Sequence, residues 1–280
     1  MKNYLKIFHN FCQQNRFFIW AYSFIQYHER FNRLKQIPRD LKMRVAHFII
    51  QGDNQTTFFF LPYYKTDYIQ REIYRTKTYY EISYLKKIFF EWNRGIIGQQ
   101  VKDNVVLDVG ANIGNHTLFF LKEAGAFKVF CFEPVKDTFD ILKKNIDINN
   151  LTKKVCLQNI GIGETKGNAS IKHYDPSNIG GTSLSINGNG SIPITSIDSL
   201  DIQDSIILMK IDVEGLELSV IKGAKQTIKK FHPYIMIEIR NVNYEEIDHI
   251  FHEMGYAGEC FFKNWEYGDY LFHPSNMNEL

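Results

Sequence analysis

The chain has no run of about eighteen apolar residues, so nothing in it is suited to cross a membrane as a helix. The first residues lack the apolar stretch and small-residue cleavage site of a secretory leader, and none is expected. Cysteine is scarce: four in 280 residues, at Cys12, Cys131, Cys156 and Cys260, without metal-ligand spacing. That excludes a disulfide framework and a cysteine metal knot. Cys131 and Cys156 lie in apolar strand patterns and are expected as buried thiols. A reducing, cytoplasmic setting is the expectation. No internal repeat is present, and Gly-x-Gly-x-x-Gly, the dinucleotide fingerprint, is missing. Net charge is also small, +2, but it hides an asymmetry. Residues 1–100 hold 16 Lys/Arg against 7 Asp/Glu and 24 of the 42 aromatics, while the remainder holds 17 Lys/Arg against 24 Asp/Glu. Such a shift predicts regions with different duties.

What the chain does contain is Val105-Val-Leu-Asp-Val-Gly-Ala-Asn-Ile-Gly-Asn-His-Thr117. Apolar and β-branched residues around Asp108 predict a buried parallel strand, and the glycines mark its exit into a helix. Strand, glycine turn and helix start form a site for a nucleotide-like ligand. The spacing is Gly-x-x-x-Gly, with Asn112 where the fingerprint has glycine. Asp108 would repel a phosphate but suit an ammonium or sulfonium group. The bland alternative is an αβ corner whose glycines serve packing. A second acid, Glu133, ends the strand Lys128-Val-Phe-Cys-Phe-Glu133. It follows Asp108 at close to the spacing of about 20 residues at which an acid binds a ribose in βαβ sites.

From Val105 onward strands and helices alternate. Strands are expected at 105–109, 128–133, 154–160, 206–212, 233–240, 257–262 and 268–273, and helices at 115–124, 136–149, 216–230 and 244–254. Short strands near 169–174 and 191–196 bracket Asn178 to Gly190, a Gly-rich stretch expected as a mobile lid or surface loop. The connection between the last two strands is too short for a parallel crossover, so they form an antiparallel hairpin. The fold class is therefore α/β: a doubly wound, mostly parallel seven-stranded sheet with an antiparallel last strand. Upstream, Thr56 to Leu61 is strand-like and Asp67 to Phe90 has helical periodicity. Residues 1–36 are predicted helical, with an aromatic run from Phe17 to Tyr27 among basic residues. This gives a basic, aromatic extension over 1–55, a lead-in over 56–104 and a catalytic domain over 105–280.

Asp108-Val-Gly-Ala-Asn-Ile-Gly-Asn-His-Thr117, Phe132-Glu-Pro134 and Lys210-Ile-Asp-Val-Glu-Gly-Leu-Glu217 together resemble the FkbM family of S-adenosylmethionine-dependent methyltransferases. Thr195-Ser-Ile-Asp-Ser-Leu200 is a further mark. The resemblance runs from about Phe58 to Phe272. It implies a Rossmann-like class I methyltransferase that binds S-adenosylmethionine through Asp108, Gly110, Asn112, Gly114, Asn115, His116, Thr117 and Glu133. Many methyltransferases also have an adenine-binding acid at the position of Asn159, whose amide oxygen could act instead. The implied reaction is O-methyl transfer to a sugar, glycan or glycosylated small molecule. In the family the region before the domain covers the cofactor, which makes Tyr80 and Glu81 weak candidates.

Methyl transfer requires an acceptor within about 3–3.5 Å of the methyl, in line with the leaving sulfur. A hydroxyl acceptor also needs a base or a metal. The strand Ile206-Ile-Leu-Met-Lys-Ile-Asp212 delivers Asp212 to the sheet edge, with Glu214 just beyond. Glu217 is expected to cap the next helix. Glu238 is an acid inside an apolar strand, costly without a partner; Lys210 has the same problem and could pair with it. Asp212, Glu214 and Glu238 are the catalytic candidates, and Asp212 and Glu214 the ligands if a divalent cation is used. Two other classes stay open: a nicotinamide-dependent oxidoreductase and a non-catalytic binding module. Nucleic acid is not an expected partner, because the basic residues are dispersed among aromatics. Residues 1–50 are expected to dock on a second subunit or peripherally on a membrane surface.

Overall fold

The computed structural model describes the strand Val45–Ile49 (β1) and residues 56–275. The predicted N-terminal helix and its docking role lie outside the described residues. No helix among the described residues is long and apolar enough to cross a membrane.

The lead-in starts with Thr56–Phe60 (β2). Two of its backbone amides donate to side chains: Phe58 to Asn149 Oδ1 (3.0 Å) and Phe60 to Asn145 Oδ1 (2.6 Å). Both asparagines belong to Lys136–Ile148 (α5) or its C-cap. Two short helices follow, Tyr68–Thr76 (α1), capped by Asp67, and Ile82–Lys86 (α2), which runs on into a π-turn. A third, Ile96–Val101 (α3), leads to the sheet.

The strands of the main sheet are Val105–Val109 (β3), Lys128–Phe132 (β4), Val155–Gln158 (β5), Ile206–Ile211 (β10), Tyr234–Arg240 (β11), Tyr256–Lys263 (β12) and Tyr267–Pro274 (β13). They lie in the order β12-β13-β11-β10-β3-β4-β5. β3, β4, β5, β10 and β11 are parallel, and β13 pairs antiparallel with both β11 and β12. Every residue of β3 is buried, as a strand covered on both faces must be. Asn115–Lys122 (α4), α5 and Tyr244–Glu253 (α8) occupy their expected spans.

Two expectations are corrected. The helix expected over 216–230 breaks into Glu217–Lys222 (α6) and Lys225–Phe231 (α7). At the break, a Cβ on Gly223 would lie 2.1 Å from the Gly163 carbonyl oxygen, so the turn exists for close backbone passage. The stretch 178–190 is not a mere surface loop. It contains a 3₁₀ turn, Ile179–Gly181, and Ser183–Ile186 (β8). β8 completes a second, four-stranded sheet of order β6-β9-β7-β8, with Gly161–Ile162 (β6), Gly167–His173 (β7) and Ile192–Thr195 (β9). The turn is pinned by Asp67, whose Oδ1 caps α1 at Gln70 and whose Oδ2 accepts from Ile179 N, both at 2.9 Å.

Candidate functional site

Strand register builds the site. On one face of the sheet, cross-strand partners place Cys131, Asp108, Lys210, Met236 and Leu271 in one row. Side chains alternate along a strand, so the next row on that face, two residues toward the carboxyl edge of the parallel strands, comprises Asp212, Glu238 and Asp269. The inner row contains a buried ion pair; the outer row presents carboxylates.

Lys210 is almost fully buried. Its Nζ donates to the Gly110 carbonyl at 2.8 Å and lies 3.1 Å from Asp212 and 3.7 Å from Asp108. Burial works against its ammonium, but Asp212 and Asp108 outweigh it and hold the group above the ordinary lysine range. The expected pairing with Glu238 is thus replaced by pairing within the row and with Asp212. Asp108 is wholly enclosed, and burial pushes its carboxyl up against the opposing pull of Lys210 and Thr117. Thr117 Oγ1 donates to Asp108 Oδ2 at 2.6 Å. Asp108 and Thr117 therefore serve each other and Lys210 beneath the turn.

The glycine turn lies above them. Gly110 adopts φ +78°, and a Cβ there would fall 1.7 Å from the Asp212 carbonyl oxygen, so only glycine fits. Gly114 has φ +88°, and its Cβ would strike Leu142 of α5 at 2.7 Å. Its role is helix packing, the bland alternative. The side chain of Asn115 exchanges two hydrogen bonds with the Tyr80 backbone and so ties the lead-in to α4. Asn112 has φ +51°, and its amide donates to Glu133 Oε2 at 2.9 Å. Glu133 Oε1 accepts from Val135 N. Burial lifts the Glu133 carboxyl to about 7, against the pull of these two amides. Asn159 donates through Nδ2 to the carbonyls of Glu133 and Pro134 and so braces this corner. Ile160, Gly161 and Ile162 line the adjoining cleft instead.

That cleft is narrow, about 50 Å³, and runs from Gly110 and Asn112 past Glu133 between Phe132, Ile160 and Leu184. The Ile179–Gly181 turn forms one wall. A wider cavity of about 390 Å³ adjoins it and shares Asn112, Gly180, Asp212 and Glu214 with it. This cavity gathers Glu81, Asp212, Glu214, Glu238 and Asp269, with aromatic walls from Tyr80, Tyr84 and Tyr267. Asp212, Glu214 and Glu238 each offer an oxygen within 4.8 Å of the others. Burial, then mutual repulsion, raises Glu81, Glu214 and Asp269 to about 7 and Glu238 to about 10. Arg240 lies 3.8 Å from Glu214. Glu81 (φ +58°) and Glu214 (φ +53°) both sit in the left-handed region. Such backbone is costly for a long side chain and clusters at functional sites.

His116 lines this cavity, 3.7 Å from Glu81, and not the cleft where it was expected. Burial and the charge of Lys210 hold it well below the usual histidine range, so it is neutral. Glu217, expected to cap the helix, is instead its first residue: Oε1 accepts from Gly215 N in the preceding turn, and the N-cap, Leu216, makes no side-chain cap. The sequence did not single out Asp269, Arg240 or Tyr267. Asp269 had one available signal, its place on the hairpin strand β13, which pairs antiparallel with β11 and sets it opposite Glu238.

Comparison with known proteins follows the same geography. Over 152 residues the chain is 31% identical to a hexuronic acid methyltransferase, AglP, of Haloferax volcanii; the match covers 52% of this chain and 60% of that protein. A second curated relative, Methyltransferase 1 of Beauveria bassiana, is 24% identical, with 43% and 58% covered. The chain thus spans about 60% of the length of these relatives. Among solved structures, Methyltransferase FkbM from Methylobacillus flagellatus KT aligns with a TM-score of 0.49 and 19% identity, covering 72% of this chain and 52% of that one. The expected absence of a nucleic-acid partner finds no support in these comparisons. Residues 108–258 match the sequence model of the Methyltransferase FkbM domain, which takes in the glycine turn, Glu133, the second sheet, Asp212 and Glu238. More than half of the chain is matched, and it belongs to the FkbM methyltransferase family.

Proposed function

We propose that this chain transfers a methyl group from S-adenosylmethionine to a hydroxyl of a sugar or glycan. The carrying observation is that the cleft and the acidic cavity meet at Asn112, Gly180, Asp212 and Glu214. A donor in the first and an acceptor in the second would face each other at the carboxyl ends of β3 and β10, where α/β sheets bind ligands.

The cleft has the chemistry for a nucleoside. Glu133 offers hydroxyl-accepting lone pairs beyond those used by Asn112 and Val135. Phe132, Ile160 and Leu184 supply apolar walls for a flat ring. Gly110 and Asn112 bring backbone close, while Asp108, Gly114, Asn115, Thr117 and Asn159 hold the shape without lining the cleft. At its present width the cleft would open by movement of the Ile179–Gly181 turn. When bound, the cofactor supplies an electrophilic sulfonium methyl.

On the acceptor side, Lys210 fixes Asp212 at the shared mouth, where its carboxylate can orient a hydroxyl. Glu214, raised to about 7, is poised to take the hydroxyl proton near neutral pH. Glu238, raised to about 10, is protonated at neutral pH and can donate a hydrogen bond. The same three oxygens are also the candidate seat of a divalent cation. The acceptor class rests on the name of the Haloferax relative, a hexuronic acid methyltransferase.

The test is radiolabelled methyl transfer to nucleotide sugars, oligosaccharides and cell-envelope extract, with and without a chelator, beside calorimetry with S-adenosylhomocysteine. Glu214→Gln should lower kcat roughly 10²–10⁴-fold, the usual contribution of a positioned base, with cofactor affinity retained. Label appearing only in protein or nucleic acid would refute the acceptor class. Failure to bind S-adenosylhomocysteine would refute the cofactor.

A further inference from the structure

We infer that the acceptor carries an ammonium group beside the methylated hydroxyl, as an unacetylated amino sugar does, and that the cavity rejects uronic acids. This rests on the methyl-transfer reading for the acceptor's role, though not for its binding. Six carboxyl groups, Glu81, Asp212, Glu214, Glu238, Glu266 and Asp269, border the cavity. Besides the histidines His116 and His173, two basic residues line it, and each has a carboxylate neighbour. Lys210 is buried against Gly110 O, Asp212 and Asp108. Arg240 stands by Glu214. A carboxylate entering here meets Asp212 and the part-ionised Glu81, Glu214 and Asp269, with Lys210 buried behind them; like-charge contacts of this kind cost up to several kcal/mol.

A second observation, beside Glu81, also points to a ligand. His116 is only 8% exposed, and its Nε2 has no hydrogen-bond partner. A buried polar atom without a partner is costly, and this one lines the cavity as part of a neutral ring. A polar group entering the cavity would supply what it lacks. The carboxyls are gathered closely, Asp212, Glu214 and Glu238 within 4.8 Å of one another, so an ammonium entering among them would gain several acceptors at once. Tyr80, Tyr84 and Tyr267 add ring faces suited to pyranose C–H groups and to a cation. The preference runs opposite to the acidic sugar in the name of the Haloferax relative.

The experiment titrates the full chain, with and without S-adenosylhomocysteine, with a glucosamine tetrasaccharide, its fully N-acetylated counterpart, a tetragalacturonate and magnesium chloride alone. We expect the glucosamine oligomer to bind roughly tenfold or more tightly than the acetylated one, the equivalent of about 1.4 kcal/mol. The galacturonate should not bind measurably. Glu81→Gln combined with Asp269→Asn should erase most of this discrimination. Equal or tighter binding of the acetylated or acidic oligomer, or discrimination that survives in the double variant, overturns the inference. So does a requirement for magnesium before any oligosaccharide binds, since the acids would then serve the cation. Absence of S-adenosylhomocysteine binding beside a preserved ammonium preference would sink the methyl-transfer reading and leave this one standing.

Discussion

Replacing Lys210 by Met tests whether the inner row of the sheet is structural. The side chains have similar volume, so the change removes charge more than packing. Lys210 Nζ bonds to the Gly110 carbonyl and faces Asp212 and Asp108. Without it, Asp108 is left with no surface exposure and Thr117 as its only side-chain donor. Leaving one partner of a buried pair unmatched costs about 3–5 kcal/mol. For a body of this size each kcal/mol moves Tm by about 2–4 °C, so a fall of roughly 6–20 °C is expected. Urea unfolding should show a lower midpoint with an unchanged m-value. Asp108→Asn keeps an acceptor for Thr117 and removes the stranded charge. The double variant should therefore be more stable than the sum of the single changes predicts, by about 1–3 kcal/mol. A cost below about 1 kcal/mol for Lys210→Met, or additive energies, would refute the pairing, since a buried pair that matters cannot be removed so cheaply. Calorimetry on the folded Asp108→Asn variant then separates two roles. Retained S-adenosylhomocysteine affinity marks Asp108 as a support under the turn, whereas lost affinity would restore it as a direct ligand.

Other outcomes follow from single contacts. Gly110→Ala should abolish folding or soluble expression, because its Cβ would collide with the Asp212 carbonyl; Gly188→Ala, with φ +74° and open space, should cost only about 1–2 kcal/mol of left-handed strain. Equal effects would show that the collision is not decisive. Asp198 accepts from Gln226 N and Thr227 N at the start of α7, so Asp198→Ala should lower stability by about 0.5–2 kcal/mol in urea, and no change would remove this role. Asp67→Ala should speed hydrogen exchange at the Ile179 amide, and unchanged exchange would mean that Asp67 does not pin the turn. Glu81, Glu214 and Asp269, raised to about 7, and Glu238, raised to about 10, hold protons in the folded chain that the unfolded chain has released. Stability from this source is present at low pH and lost as pH rises through 7 toward 10, so Tm should fall between pH 6 and 9. The depressed His116 acts oppositely below its ordinary value of about 6.5, where the unfolded chain takes up the proton. A flat or rising Tm from pH 6 to 9 would refute the burial and crowding of the carboxyls.

The sequence by itself determined the main sheet. β3 and β10 are apolar runs long enough to need burial on both faces, and the short link at 264–266 could only close an antiparallel hairpin. Asp212, Glu214 and Glu238 were also legible, because a carboxyl at the end of a buried strand must reach solvent or a partner. Tertiary structure decided which residues touch what. Asp108 and Thr117 are ligand candidates in one dimension; that a neighbouring strand also brings Lys210 beside Asp108 is a register no local pattern encodes. Asp269 and Glu81 join the cavity from segments far apart in the chain, through the antiparallel pairing of β13 with β11 and a left-handed turn respectively. The 178–190 stretch concealed a strand because its order comes from Asp67, more than a hundred residues away, and from pairing with β7 across the connection 174–182. Periodicity reports which face of an element is apolar; the charge environment of a buried group depends on neighbours that only the folded chain assembles.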